Sequence, residues 1–183
     1  EELKRLKIKI VRPAINECFA EFKAETNKIY YGLGAIKNVG FEAISSIVNE
    51  REKNGKFKSL FDFISRVSSR DVNKLQLEGL VKAGVFDEFE IDRNKILGSI
   101  PKIIQKIKNI NDDKLSNQTN LFNENNNLKS DFNFIETETW TKKELLVEEF
   151  KSLGFYISDH PLNEYSEAFN QLKIISYKEF VNN

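Results

Sequence analysis

The chain has 183 residues, 40% of them apolar and 31% charged, with fifteen Phe and a single Cys. That is apolar material enough for one good-sized core or two small ones. Cys18 alone excludes an intramolecular disulfide, and no Cys/His set exists that would hold zinc, so no metal ligand is assigned. The net charge is zero, yet residues 1–110 carry 21 Lys and Arg against 15 Asp and Glu, while residues 111–183 carry 7 against 13: a basic front and an acidic back.

Glu1 to Leu6 reads as the tail of a helix, and KIKIV alternates as a short strand until Pro13 ends it. KIYYG is a second β-like stretch, with Gly32 and Gly34 as breakers. From Ala35 the pattern turns helical. Ala43, Ile44, Ile47 and Val48 recur after Gly40 at three- and four-residue spacings, the apolar face of a helix reaching about Glu52 and stopped by Asn54 and Gly55. SLFDFISRV predicts a short helix with Leu60, Phe61, Ile64 and Val67 inward. DVNKLQLEGLVKAG predicts another, capped by Asp71 and ended by Gly84. Arg93 to Lys108 is a longer helix in which Pro101 forces a kink or break. Asn109 to about Thr139 is Asn-rich and poor in apolar residues, which predicts a mobile linker. Helical periodicity resumes at Thr141, with Leu145, Leu146, Phe150 and Leu153 on one face and Gly154 as the stop. EYSEAFNQL is a last amphipathic piece.

The fold class that follows is mainly α: a tandem helix-hairpin-helix domain with short β segments near the N-terminus, a mobile linker and a C-terminal helical segment. The divisions fall at 1–34, 35–108, 109–140 and 141–183. No run approaches the roughly 20 apolar residues that cross a bilayer, and EELKRLKIKI has no apolar leader core, so no membrane partner and a cytoplasmic location are expected. Glu1 stands where a Met would start a gene product, which suggests a piece of a longer chain.

GLGAIKNVGFEAISSIV carries the chemistry of the basic half. An apolar residue, a tight turn with a second apolar residue between two positions that tolerate positive φ, and then a helix form the helix-hairpin-helix pattern. Its phosphate-facing residues are Lys37, Asn38, Val39 and Gly40. Backbone amides in such a turn and at the following helix N-terminus point at a phosphate oxygen, helped by the helix dipole. A grip of this kind touches no base edge, so it holds duplex DNA by its backbone without sequence preference. Asn38 occupies the place of the usual first Gly, and Lys37 adds an ionic contact. LVKAGVFDEF, with Val81, Val85 and Phe86 as plugs, reads as a second and degenerate hairpin whose Asp87, Glu88 and Glu90 repel phosphate.

No catalytic set accompanies the hairpins. Asp62 lies at the distance from the hairpin at which a repair glycosylase places its aspartate, but in a helical context. His160 reads as a turn residue without a Cys or Ser partner, and Glu148 and Glu149 as solvated carboxylates. A helix-hairpin-helix repair protein and a purely structural connector remain as alternatives. In the linker, SNQTNLFN sets Leu121 and Phe122 side by side where neither helix nor strand spacing explains them.

Taken together, LKIKIVRPAINECFAEF, YYGLGAIKNVGFEAISSIVNERE, FKSLFDFISRV, NKLQLEGLVKAGVFD and ELLVEEFKSLGFYISDHPLNEY resemble, in order and spacing, the alpha subunit of bacterial DNA polymerase III, the replicative polymerase of the C family. Ala14, Cys18 and Asn38 depart from the family's usual Asp, Ser and Gly. The resemblance implies a region between the end of the fingers and an oligonucleotide-binding fold, lacking the family's polymerising aspartates and their Mg2+, and therefore non-catalytic with no cofactor of its own. It also implies three partners: double-stranded DNA, the beta sliding clamp and other subunits of the polymerase holoenzyme. The family's clamp anchor has the form Gln-x-x-Leu-Phe, which Gln118, Asn120, Leu121 and Phe122 supply. From the chain's four Gln, sixteen Leu and fifteen Phe, that pattern is expected about 0.03 times by chance. Burying Leu121 and Phe122 in a partner's pocket would contribute on the order of 3–5 kcal/mol, enough for micromolar binding.

Overall fold

The computed structural model describes residues 2–115, 132–175 and 180. A short helix, α1 (Glu2–Arg5), leads into β1 (Lys9–Val11), β2 (Lys23–Glu25) and β3 (Lys28–Tyr30). The strands form one sheet in the order β1-β3-β2, with β1 parallel and β2 antiparallel to β3. KIKIV and KIYYG supply β1 and β3. The sequence pattern misses β2, because Lys23, Ala24 and Glu25 are all exposed and give no alternation to detect.

Five helices carry the rest of the core: α2 (Phe41–Asn54), α3 (Leu60–Arg66), α4 (Lys74–Lys82), α5 (Arg93–Leu115) and α6 (Lys142–Leu153), followed by the short α7 (Ser166–Gln171). Their starts are fixed by side-chain caps. Ser59 accepts from the Asp62 amide at 3.1 Å, and Thr141 and Glu144 form a reciprocal capping box. At α4 the cap is Asn73, boxed with Gln76, and not Asp71, which instead accepts a 2.6 Å bond from the Ser46 hydroxyl. The helical pattern read from Ala35 begins only at Phe41; residues 33–35 make a 3-10 turn.

Two further expectations change. Pro101 does not break α5: the helix runs on to Leu115, seven residues past Lys108. Pro101 lies on the solvent side, where a long helix curves outward and a missing backbone bond is least costly. At the other end of the expected linker, residues 132–140 have no regular structure, yet they lie along α5. The Ile135 amide donates to Ser99 Oγ at 2.8 Å, Asn94 Nδ2 donates to the Glu138 carbonyl at 2.7 Å, and Lys95 pairs with Glu136 at 2.8 Å. Phe132 and Phe134 meet edge to face at 4.9 Å and pack on the core.

One apolar cluster joins these parts, from Ile15 and Leu33 through Ile44, Leu80, Phe86 and Ile100 to Leu153. Leu60, Ile64 and Val67 are buried as expected, but Phe61 is only half-buried and Phe63 takes the core position instead, between Phe57 and Phe86 at ring distances of 5.3 and 5.0 Å. Residues 13–34 belong to the same core as the hairpin helices. Asn16 exchanges two bonds with the Phe57 backbone, at 2.8 and 2.7 Å, and buried Arg51 of α2 donates to the carbonyls of Ile15 and Cys18 at 2.6 and 2.7 Å. Burial pushes the Arg51 guanidinium below its ordinary pKa and the Cys18 thiol above its own.

Candidate nucleic-acid interface

Lys37, Asn38, Val39 and Gly40 form the turn between the 3-10 segment and α2. Val39 is buried and seals the turn onto the core, while Lys37, Asn38 and Gly40 are exposed. Asn38 has φ 66°, so the chain enters the left-handed region at the position expected of it, with a residue that tolerates it. The second expected positive-φ position is not one. Gly40 has φ −78° and ψ 134°, extended backbone open to any residue, and its lack of a side chain leaves α2 without a side-chain cap. The amides of the first turn of α2 therefore face outward without a capping oxygen, beside the positive end of a 14-residue helix. Glu42, in that same turn, adds a carboxylate that partly offsets the field.

The turn is braced from two sides. The Lys37 amide donates to the Ser152 carbonyl of α6 at 3.0 Å. Its carbonyl lies against Gly79 of α4 so closely that a Cβ there would stand 2.6 Å from the oxygen. With both backbone groups of Lys37 directed inward, its exposed ammonium makes no ion pair among the described residues. The brace from α6 lies more than a hundred residues away in sequence, and no periodicity signals it.

The second turn, between α4 and α5, differs. Gly84 has φ 78°, and Val81, Val85 and Phe86 are buried as plugs. Its amides are already occupied: Gly84, Val85 and Asp87 donate to the carbonyls of Val81, Leu80 and Gly84 at 3.0, 3.0 and 3.2 Å. Arg93 binds Asp87 through Nε at 2.7 Å, and Glu88 accepts from the Asn16 amide and side chain at 3.1 and 2.9 Å. This turn is a packing joint whose Gly84, Val85 and Asp87 amides are already spent within the chain.

The remaining candidates fall into place as structural groups. Asp62 accepts from the Lys58 amide at 2.9 Å and pairs with Arg66 at 3.2 Å. His160 Nδ1 accepts from the Leu162 amide at 3.2 Å. Glu148 pairs with Lys82 at 3.0 Å, but Glu149 is not solvated: it is 2% exposed and accepts from the Ile157 and Ser158 amides at 2.7 and 3.0 Å. Phe150, expected on the apolar face, is instead 45% exposed. No group of three or more His, Cys, Asp or Glu placed to hold a metal occurs among the described residues. No described helix is long and apolar enough to cross a membrane. Gln118, Asn120, Leu121 and Phe122 lie outside the described residues.

A family model described as a helix-hairpin-helix motif matches residues 7–96. The chain is 35% identical over 182 residues to the DNA polymerase III subunit alpha of Borreliella burgdorferi, covering 96% of this chain and 16% of that protein. It is 34% identical over 164 residues to the corresponding subunit of Caulobacter vibrioides, covering 90% and 14%, and 36% identical over 155 residues to that of Rickettsia conorii, covering 85% and 13%. The chain thus spans about a sixth or less of the length of these relatives.

Proposed function

The chain belongs to the family of bacterial DNA polymerase III alpha subunits, and from that premise we propose that it holds the backbone of duplex DNA and anchors its polymerase to the sliding clamp, without doing chemistry itself. The whole protein would carry out template-directed DNA synthesis in the cytoplasm, with Mg2+ and the holoenzyme's other subunits engaged elsewhere on it. The observation that carries the DNA reading is the braced turn, in which Asn38 in the left-handed region and capless Gly40 leave the first amides of α2 open beside Lys37. Contacts of that kind bind phosphate without reading bases.

The reading is tested by titrating the protein with duplexes of unrelated sequence at two salt concentrations. Lys37→Glu is expected to weaken all of them alike, and a loss confined to one sequence would contradict backbone recognition. For the clamp, Gln-x-x-Leu-Phe at 118–122 supports an extended peptide whose Leu121 and Phe122 enter an apolar pocket while the Gln118 amide fixes register. Leu121→Ala combined with Phe122→Ala should abolish calorimetric binding to the clamp with the circular dichroism spectrum unchanged. Equal affinity would remove the anchor from the reading. The second turn is assigned a structural role, because its Gly84, Val85 and Asp87 amides and its Asp87 and Glu88 carboxylates are already partnered within the chain.

A further inference from the structure

Gly32 and Gly34, which follow the end of β3, are also seats for aromatic rings. Gly32 has φ −75°, which asks nothing special of the residue, but a Cβ on it would lie 2.7 Å from the Phe22 nitrogen and 3.0 Å from the Phe22 ring. A Cβ on Gly34 would lie 3.1 Å from the Phe41 ring. With those side chains absent, Phe22 and Phe41 rest on bare backbone and stay open to solvent, 56% and 45% exposed. Tyr31, almost wholly buried, backs the strip at 4.8 Å from Phe22 and 6.0 Å from Phe155, which is 44% exposed. Phe155 arrives there because Gly154 ends α6 in the left-handed region, two residues after the Ser152 carbonyl that holds the Lys37 amide.

Phe41 packs on Gly34, two residues from the Gly32 that seats Phe22, and it is the first residue of α2, directly after Gly40 of the hairpin turn. Lys23 and Lys37 stand near these rings in sequence with Glu21, Glu25 and Glu42, and Lys23 is already paired with Glu25 at 3.7 Å, so no excess of positive charge accompanies the rings. Exposed rings without an excess of positive charge attract the flat faces of bases more than phosphates, and stacking of this kind is indifferent to base identity. We propose that Phe22, Phe41 and Phe155 form a stacking surface for unpaired nucleobases, at the end of a DNA strand whose backbone is held by the adjacent hairpin. This rests on the DNA reading above for the backbone grip, but the stacking itself is separable from it.

Three probes at one salt concentration test it by fluorescence anisotropy: a blunt duplex, the same duplex with a short single-stranded overhang, and the duplex with an overhang of abasic residues. The overhang should tighten binding about fivefold or more over blunt, and the abasic overhang should not. Phe22→Leu with Phe155→Leu keeps apolar volume while removing the π-faces, and it should erase the overhang's gain and leave blunt-duplex binding unchanged. A 2-aminopurine placed in the overhang should be quenched by the wild type and not by the variant. Equal binding of blunt and overhang, an abasic overhang as good as a natural one, or a variant that retains the gain would each overturn the stacking surface. If blunt duplex fails to bind while ring-dependent overhang binding persists, the duplex grip falls and the stacking surface stands.

Discussion

Arg51 joins the N-terminal sheet region to the hairpin helices, and it does so with a charge in a place that an apolar residue would normally fill. Its Nη1 donates to two carbonyls, of Ile15 and Cys18, and its plane lies 5.4 Å from the Phe19 ring centre. Removing it strands both acceptors in the core, at about 1–3 kcal/mol each. Arg51→Ala is therefore expected to lower stability by about 2–5 kcal/mol, read as a lower urea midpoint; a change under half a kcal/mol would mean that water satisfies those carbonyls. Side chains of this kind are poorly legible in a sequence. Arg51 and Glu149 look like ordinary polar positions on amphipathic helices, and only the partners brought by distant segments make them buried. Asn38 is the opposite case: its φ was legible because the turn pattern demands it and few residues supply it.

At the scale of elements, what apolar spacing could detect was detected. The bodies of α2, α3, α4 and α6 lie where three- and four-residue periodicity put them, and Gly55 and Gly154 end α2 and α6 with φ 85° and 83°. What spacing could not detect was how elements approach one another. Gly79 sits mid-helix in α4, where a Gly ordinarily costs about 1 kcal/mol relative to Ala. Its reason is the Lys37 carbonyl, which leaves no room for a Cβ. Gly79→Ala should for that reason lower stability despite the better helix propensity, and by pushing the hairpin turn off α4 it should weaken duplex binding on the order of tenfold. A variant more stable than wild type with unchanged duplex affinity would show that the contact between turn and α4 is loose. The stretch 132–140 was missed for a related reason: its anchors are backbone bonds to Ser99 and Asn94 on α5, and its composition carries no trace of them.

For the molecule as a whole, the charge split and the mainly helical class could be read from the sequence, while the apolar cluster that crosses residues 34 and 140 could not. The apolar cluster runs from Ile15 to Leu153, and α6, which follows the candidate clamp motif in sequence, reaches back to hold the Lys37–Gly40 turn through Ser152 and to pair with α4 through Glu148 and Lys82. If this is one cooperative body, damage to α6 must be felt at the hairpin. Leu153 is 8% exposed, next to Ser152, and packed in the shared cluster. Truncating it removes apolar contacts at a cost of about 2–4 kcal/mol. We expect Leu153→Ala to shift a single unfolding transition without splitting it. Hydrogen exchange at the Lys37 amide should accelerate in step with that loss of stability, because the bond that protects it is made by α6. Two resolved transitions, with Lys37 exchange unchanged, would mean that α6 is an appendage and that the hairpin turn keeps its shape without it. A single transition with faster exchange would place the duplex grip under the control of a helix that lies on the far side of Gln118–Phe122 in the chain.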